Sequence, residues 1–308
     1  MLSEREIIKL ITGKTGAPRD DVALGIGDDA AVLQPRSGHE LVVCADTLVA
    51  GVHFPDGTAP SAIGHKALAV NLSDLAAMGA EPGWALLALT LPEADEAWLR
   101  EFATGFSELA TRFEVMLVGG DTTRGPLTVS VTALGQVPAG GALRRAGARP
   151  GDALCVSGTL GDAALALAQW RAGGVRDVEL AARLDLPEPR VALGLALRGI
   201  AHAAIDVSDG LLSDLRKLIE ADGLGATVEI EQLPRSERFA ASGGTTEMML
   251  GGGDDYELLF ALPAAALPGL AAHSVTRIGT VEAERGVRCV DGTGRPVKVT
   301  AAGYEHFG

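Results

Sequence analysis

The sequence predicts a protein of two domains, the first of which alternates β-strands with α-helices. At 308 residues the chain is near the length at which one hydrophobic core stops growing, so two domains of about 150 residues each are expected. Strand-like and helix-like patterns follow one another through the first half. Residues 138–152 are rich in Gly, Pro and Arg, which is typical of a junction between domains. We therefore expect one domain over residues 1–138 and a second over residues 149–308.

Composition and charge exclude two classes of protein. Hydrophobic residues make up 47% of the chain and charged residues 21%, as in an ordinary folded protein and unlike a disordered one. The formal net charge is −14, and the longest basic run is Arg144-Arg145. Contacts to nucleic-acid phosphates need clustered Lys and Arg, so no nucleic-acid partner is expected.

The beginning of the chain and its cysteines indicate the compartment. Residues 1–11 favour an amphipathic helix, with Ser3 and Glu6 at capping-box spacing, over a secretory signal. The most apolar stretch, residues 84–91, is too short to cross a bilayer as a helix. Three widely spaced cysteines argue against a disulfide framework. We expect a soluble cytoplasmic protein with no membrane partner.

The first half contains four predicted strands and two predicted helices. Their β-branched and apolar content predicts strands over residues 40–46, 84–91, 115–121 and 127–137. A helix over residues 61–78 is expected to stop at Gly79. The second helix lies within residues 93–113. Its apolar residues recur at helical spacing and predict a core stripe of Trp98, Phe102, Phe106, Leu109 and Phe113.

The second half begins again with a strand. Residues 152–157 predict this strand, and helices are expected near residues 160–172 and 188–203. The segment AIDVSDG follows, and then a helix on which Leu211, Leu215, Leu218 and Ile219 share one face. The C-terminal part returns to short strands such as ELLFAL, residues 257–262.

Acidic residues recur where an apolar strand or a glycine turn ends. They are Asp28, Asp29, Asp46, Asp121, Asp206, Asp209, Asp254 and Asp255. Loops at strand ends are where α/β proteins place their chemistry. Each of these residues alone could equally be a helix cap or a turn residue, as Asp209 is placed to be. Without a His or Cys cluster beside them, carboxylate oxygens suit a hard cation such as Mg²⁺.

The stretch GIGDDAAVL, residues 25–33, has the glycine spacing of a dinucleotide-binding turn. Two observations oppose that interpretation. The residues that follow predict a short strand and a turn instead of a helix, and Asp28 and Asp29 would repel a phosphate unless a cation stood between them. Several Mg²⁺ ions held by carboxylates suit phosphoryl transfer to an acceptor that is itself a phosphate, because the two reactants then repel each other.

Seven segments resemble, in the same order, motifs of the thiamine-monophosphate kinase family. They are GIGDDAAVL, ADTLVAGVHF, HKALAVNLSDLAAMGAEP, LVGGDTTRGPL, AIDVSDGLLSDL, GGDDYELLF and GYEHF. The resemblance implies an aminoimidazole ribonucleotide synthetase-like fold of two domains, α/β and α+β, with mixed sheets flanked by helices. It also implies a homodimer formed by the N-terminal domains. The implied reaction is direct in-line transfer from ATP to thiamine monophosphate, giving thiamine diphosphate and ADP.

The resemblance also implies roles for individual residues. The implied metal ligands, for several Mg²⁺ ions, are Asp29, Asp46, Asp74, Asp121, Asp206 and Asp209. The implied ATP contacts are Gly120, Asp121, Arg145 and Ser208, and the implied thiamine monophosphate contacts are His53, Asp254 and Tyr304. Asp28, Asp214 and Asp255 are expected to support or cap these elements. No residue is assigned as a catalytic nucleophile, and no phospho-enzyme is expected.

The chain departs from the family pattern at two places. Many relatives carry hydroxyl residues before the aspartate of ADTL, whereas this chain has Cys44 and Ala45. Relatives often have Glu where this chain has Asp254. Two alternatives stay open at this point. One is another ATP-using enzyme of the superfamily, such as selenophosphate synthetase or the purine-pathway synthetase, and the other is an acidic metal-binding protein without catalysis.

Overall fold

The structure is a computed structural model that describes residues 4–13, 19–173, 176–300 and 303–305. The chain divides into two compact units, the first comprising Met1–Leu75 with Ala80–Gly140 and the second Ala76–Gly79 with Gly141–Gly308. The capping box predicted at Ser3 lies outside the described residues. Within them, no helix combines the length and the apolar character needed to cross a membrane.

The first unit is built on a four-stranded sheet. Its elements are α1 (Glu4–Thr12), β1 (Val22–Leu24), β2 (Val32–Leu33), β3 (His39–Val49), α2 (Pro60–Ala77), β4 (Glu81–Leu91), α3 (Glu96–Arg112), β5 (Met116–Arg124) and β6 (Thr128–Pro138). The strand order is β3-β6-β4-β5, and β4 and β5 run parallel while the other pairs are antiparallel. The short strand predicted after GIGDD is confirmed as β2, which pairs with β1.

Helices α2 and α3 form the core of this unit together with one face of the sheet. Phe102, Phe106 and Leu109 of the predicted stripe are buried, whereas Trp98 and Phe113 are half-buried. The Asp95 side chain starts α3 by accepting the Trp98 N–H at 3.0 Å. The two helices touch through a glycine, because a Cβ added at Gly105 would lie 1.8 Å from the Ser61 carbonyl oxygen.

Two strands run further than the sequence predicts. β3 continues to Val49 because its last residues keep pairing with β6, and β5 continues to Arg124 because it keeps pairing with β4. Asp46 and Asp121 therefore lie inside strands, and the expectation that they sit in loops at strand ends is wrong. Local composition did not show the continuation, because it depends on backbone pairing with a neighbouring strand.

The second unit is built on a six-stranded sheet of order β12-β9-β11-β7-β10-β8. Its strands are β7 (Ala153–Ser157), β8 (Ala203–Asp206), β9 (Gly225–Glu229), β10 (Leu258–Leu262), β11 (Val275–Glu282) and β12 (Gly286–Val290). Its helices are α4 (Asp162–Arg171), α5 (Val178–Asp185), α6 (Val191–Leu197), α7 (Leu211–Glu220), α8 (Glu237–Ala241) and α9 (Thr246–Gly251). Strands β7, β8 and β10 are buried along their whole length. The helix expected near residues 188–203 is shorter in the structure, and α5 was not predicted.

Candidate functional site

A cavity of about 620 Å³ in the first unit gathers part of the predicted site. Asp28 and Asp29 line it from the loop after β1, and Gly120 and Asp121 line it from β5. All four residues are exposed to solvent. Two of the predicted metal ligands and both ATP-binding residues predicted in this unit therefore face the same space. The backbone N–H of Asp29 donates to Oδ1 of Asp28 at 2.9 Å, which orders the pair.

Gly120 is placed where only glycine fits. Its φ is +151°, and a Cβ added there would lie 1.9 Å from the carbonyl oxygen of Leu87, its partner on β4. A side chain at this position would separate the two parallel strands. The glycine therefore keeps β5 paired with β4 at the residue just before Asp121.

A second cluster in the first unit surrounds Cys44. Its Sγ donates to the backbone carbonyl of Asn71 at 3.4 Å, and the Asn71 Oδ1 accepts the backbone N–H of Asp46 at 3.2 Å. Burial, and then the charges of Asp74 and Asp46, raise the pKa of the Cys44 thiol. The thiol is therefore neutral at physiological pH, and the two carboxylates concentrate negative charge beside it.

His53 is held by both of its neighbouring elements. The backbone N–H of Val49 donates to Nδ1 of His53 at 3.0 Å, so this nitrogen carries no proton and the neutral ring bears its proton on Nε2. The ammonium of Lys66, a buried residue of α2, donates to the His53 carbonyl at 3.1 Å. Sequence reasoning missed Lys66, although one lysine within the apolar run of HKALAV is an available signal.

In the second unit, the loop after β8 is shaped by Asp214. Its Oδ2 accepts the backbone N–H groups of Ser208 and Asp209, both at 3.0 Å. Lys217 donates to Asp209 Oδ2 at 2.5 Å and to Asp214 Oδ1 at 2.7 Å. Burial raises the pKa of the Asp214 carboxyl, and the Lys217 ammonium offsets part of that rise. The N-cap of α7 is Gly210, so Asp209 is not the capping residue that its position suggested.

Three segments meet at this loop. Asp254 donates its backbone N–H to the Ser208 carbonyl at 2.9 Å, and Tyr304 donates its own to the Asp209 carbonyl at 2.9 Å. The Tyr256 hydroxyl donates to Asp254 Oδ1 at 3.0 Å. The structure thus brings Ser208, Asp209, Asp254 and Tyr304 together, although they are far apart in the sequence. Asp206, which is buried, ends β8 beside them.

The backbone at this site is strained. Asp254 has a φ of +64° and Tyr256 a φ of +50°, in the left-handed region that non-glycine residues rarely adopt. Strain of this kind costs on the order of 1–3 kcal/mol per residue and persists only where surrounding contacts impose it. Contacts elsewhere in the unit must therefore hold the segment in place. Two buried acids, Asp255 and Glu257, make such contacts; the sequence predicted only a supporting role for Asp255 and no role for Glu257.

The predicted metal ligands are divided between the two units. Asp29, Asp46, Asp74 and Asp121 belong to the first unit, and Asp206 and Asp209 to the second. Across the described ranges, no group of three or more His, Cys, Asp or Glu side chains is arranged to hold a metal ion. Arg145, the predicted phosphate contact, lies exposed in the segment between β6 and β7.

Comparison with known proteins assigns the family. Residues 27–137 match the family described as AIR synthase related protein, N-terminal domain, and residues 149–292 match AIR synthase related protein, C-terminal domain. The chain is 44% identical over 319 residues to the thiamine-monophosphate kinase of Salmonella typhimurium, with 99% of this chain and 98% of that protein covered. The chain belongs to the thiamine-monophosphate kinase family. It is therefore an enzyme, a phosphotransferase whose acceptor is a phosphate group.

Solved structures of thiamine-monophosphate kinases share this fold. The crystal structure of the enzyme from Stenotrophomonas maltophilia has a TM-score of 0.86 and 49% identity, covering 94% of this chain and 96% of that one. AaThiL complexed with AMPPCP and TMP has a TM-score of 0.81 and 32% identity, covering 99% and 97%. The expected two-domain synthetase-like fold is confirmed. Membership of a kinase family also sets aside the non-catalytic metal-binding alternative.

Proposed function

We propose that this kinase transfers the γ-phosphoryl group of ATP directly to thiamine monophosphate, giving thiamine diphosphate and ADP. The observation that carries the proposal is AaThiL, a relative covering 99% of this chain, which was solved with AMPPCP and TMP. We assign ATP and Mg²⁺ binding and dimerisation to residues 1–138, and the second domain to residues 149–308. Because the reaction consumes ATP, we place it in the cytoplasm, where the three free cysteines would stay reduced.

For ATP, the proposal relies on Gly120, Asp121, Arg145 and Ser208. Gly120 leaves backbone exposed to the cavity of the first unit, which lets a nucleotide approach the strand closely. The exposed guanidinium of Arg145 suits a phosphate, because its planar donors match phosphate oxygens. Ser208 lies in the loop that Asp214 orders.

For thiamine monophosphate, the proposal relies on His53, Asp254 and Tyr304. The Nε2–H of His53 is a neutral donor suited to a phosphate oxygen. The Asp254 carboxylate suits the cationic ring system of thiamine. Tyr304 is 44% exposed, and its aromatic ring suits stacking on a ring of thiamine.

The proposed ligands for Mg²⁺ are carboxylates in three pairs, and their hard oxygen atoms suit this cation. Asp29 and Asp121 face one cavity, and Asp46 and Asp74 lie together at Cys44, so each pair offers hard oxygen ligands without a competing imidazole. Asp206 and Asp209 form the pair of the second unit, where Lys217 already supplies one positive charge. Bound Mg²⁺ would offset the charge of the two phosphates.

No covalent phospho-enzyme is part of this mechanism. The acceptor phosphate is already ionised at neutral pH and needs no strong base. Burial raises the pKa of all three thiols, that of Cys155 to about 12, so none is a thiolate nucleophile. The protein acts by aligning the two phosphates and holding them in place.

A homodimer formed by the first unit is also proposed. The four-stranded sheet exposes apolar side chains on one face, among them Leu41 and Val43 of β3 and Leu86 of β4. Val43 is 57% exposed. Pairing through β6 places these residues on the same side of the sheet. A second copy of the same face would remove this surface from water by a two-fold contact.

Product analysis tests the proposed function. Purified protein is incubated with thiamine monophosphate, ATP and Mg²⁺, with an EDTA control. Thiamine diphosphate and ADP formed in equal amounts, and only with the metal, are expected. ATP binding without any thiamine diphosphate would contradict the assigned acceptor and redirect the search to other phosphate acceptors.

A further inference from the structure

Two buried acids flank Tyr256 in the strained segment that carries Asp254. Asp255 is 4% exposed and Glu257 is fully buried. Their side chains enter the interior of the second unit, whereas Asp254 is half-buried at its edge. The proposed reaction gives neither acid a role, because neither is proposed to touch ATP, metal or thiamine monophosphate.

Glu257 is held by four hydrogen bonds from three residues. Arg190 donates to it twice, from Nε to Oε2 at 2.6 Å and from Nη2 to Oε1 at 2.5 Å. Arg183 donates to Oε1 at 2.6 Å, and Ser157 donates to Oε2 at 2.5 Å. The Ser157 Oγ in turn accepts the backbone N–H of Leu258 at 2.9 Å. Glu257 therefore ties the start of β10 to β7, to α5 and to the residue before α6.

The glycine at position 158 leaves room for the Glu257–Arg190 pair. A Cβ added at Gly158 would lie 2.1 Å from Glu257 Oε1 and 2.7 Å from Arg190 Nη2. Burial opposes ionisation of Glu257, but the hydrogen bonds and charges of Arg190 and Arg183 outweigh it and lower its pKa. The carboxylate stays charged, and bidentate pairing with Arg190 fixes its orientation.

Asp255 holds the segment through a backbone N–H, whereas Glu257 is held by side chains. Its Oδ1 accepts the backbone N–H of Gly161 at 2.9 Å, and its Oδ2 is buried without a hydrogen-bond partner among the described residues. Burial raises the pKa of Asp255 well above its ordinary value. Arg183 favours its charged form, whereas Glu257 and Asp162 disfavour it. Burial therefore favours the neutral form of this acid, which holds the chain through one backbone hydrogen bond.

We propose that Asp255 and Glu257 are positioning residues for the phosphate acceptor: they hold the Asp254–Tyr256 segment in its strained conformation and thereby set the affinity for thiamine monophosphate. This inference rests on the proposed role of Asp254. Left-handed non-glycine residues keep that conformation only where surrounding contacts impose it, and the buried side chains of Asp255 and Glu257 supply such contacts on either side of Tyr256. Relaxation would move the Asp254 carboxylate and break the hydrogen bond that it accepts from Tyr256.

Steady-state kinetics of single-residue variants test the proposal. Glu257→Gln and Asp255→Ala are expected to raise KM for thiamine monophosphate about tenfold, because misplacement of a binding group weakens the bound geometry. KM for ATP is expected to stay within about twofold of wild type, because Asp214 holds Ser208, the proposed ATP contact beside Asp254, independently of Asp255 and Glu257. Asp255→Asn is expected to rescue most of the affinity, because the amide has the shape of the neutral acid.

A matched control separates positioning from folding. Asp152 is another buried acid of the same unit, and it binds His202 Nδ1 at 2.9 Å and the Arg149 N–H at 2.8 Å. Asp152→Asn is expected to lower the melting temperature without changing either KM. If Glu257→Gln fails to fold, Arg190→Lys keeps one charge and weakens only the bidentate pairing. Equal changes of both KM values, or unchanged KM values in the folded variants, would overturn the proposal.

Hydrogen–deuterium exchange distinguishes this inference from the proposed function. The amides of Asp254 and Tyr256 donate to the carbonyls of Ser208 and Val207. They are expected to exchange faster in Glu257→Gln than in wild type, and at the wild-type rate in Asp152→Asn. If wild type makes no thiamine diphosphate, the proposed function fails while this readout still tests the anchor. Unchanged exchange in Glu257→Gln would show that the segment does not depend on it.

Discussion

Val49 donates its backbone N–H to Nδ1 of His53, and this hydrogen bond decides which nitrogen of the ring can donate. Because Nδ1 is an acceptor, Nε2 carries the proton. We expect His53→Gln, which can place an N–H near the position of Nε2, to keep KM for thiamine monophosphate within about threefold of wild type. His53→Asn, which cannot reach that position, should raise the same KM about tenfold or more. Equal KM values for the two variants would contradict the assignment of Nε2 as the donor.

Asp121 is exposed in a cavity, so its side chain contributes little to folding. Asp121→Asn removes a charge proposed to hold metal at ATP, and turnover should fall by about two orders of magnitude or more. The melting temperature should stay near that of wild type, because exposed substitutions change stability by only about 0.5 kcal/mol. Asp56→Asn, an exposed change outside this cavity, is the control and should leave turnover unchanged. A large loss of stability in Asp121→Asn would indicate a structural residue instead.

Gly120 and Gly140 both have positive φ, but only Gly120 is crowded. Gly120→Ala forces a Cβ into the Leu87 carbonyl and should lower the free energy of unfolding by about 3 kcal/mol or more. Gly140 has no atom within 4 Å of an added Cβ, so Gly140→Ala should cost only about 1 kcal/mol. Urea denaturation of both variants measures the difference. Similar losses would show that the β4–β5 contact tolerates a side chain.

The pH dependence of stability should reveal the raised pKa of the Asp255 carboxyl. Because its folded pKa is raised, its contribution to stability is fully present below the ordinary carboxyl pKa and is lost as pH rises through the folded pKa. Between the ordinary carboxyl pKa and the raised folded pKa, the free energy of unfolding of wild type falls by up to about 1.4 kcal/mol per pH unit relative to Asp255→Asn. Urea denaturation at pH 4, 6 and 8 measures this difference. A constant difference between the two proteins would mean that Asp255 is charged in the folded state.

If the exposed sheet face of the first unit forms the proposed dimer, a charge placed on it should prevent association. Val43→Asp introduces a charge into that face and should convert the proposed dimer to monomer at micromolar concentration, since a desolvated charge opposes association. Val178→Asp alters a valine that is 83% exposed in the second unit and should leave the assembly unchanged. Sedimentation equilibrium of the three proteins checks this. A wild-type monomer would refute the dimer directly.

Local patterns were sufficient for much of this fold. The stripe of Phe102, Phe106 and Leu109 predicted α3, and Gly79 predicted the end of α2, where its φ is +64°. These features depend on near neighbours, because helical and strand periodicities repeat within a few residues. The ordered motifs likewise identified the family, since each keeps its residues at fixed short spacings.

The partners of the predicted carboxylates required the tertiary structure. No local pattern indicates that Asp46 lies against Asn71 and Cys44, or that Lys217 binds Asp209. Strand extension beyond Asp46 and Asp121 was also missed, because it depends on pairing with distant strands.

Most elements of the first unit and the family could be predicted from the sequence, because both depend on patterns of short range. The contacts that hold the segment around Asp254 could not, because they join residues far apart in the chain. Arg190 and Arg183 lie 67 and 74 residues before Glu257, and Gly161 lies 94 residues before Asp255. Both acids are buried, and a charged or acidic group removed from water needs a hydrogen-bond partner. The sheet topology decides which distant residue lies close enough to be that partner.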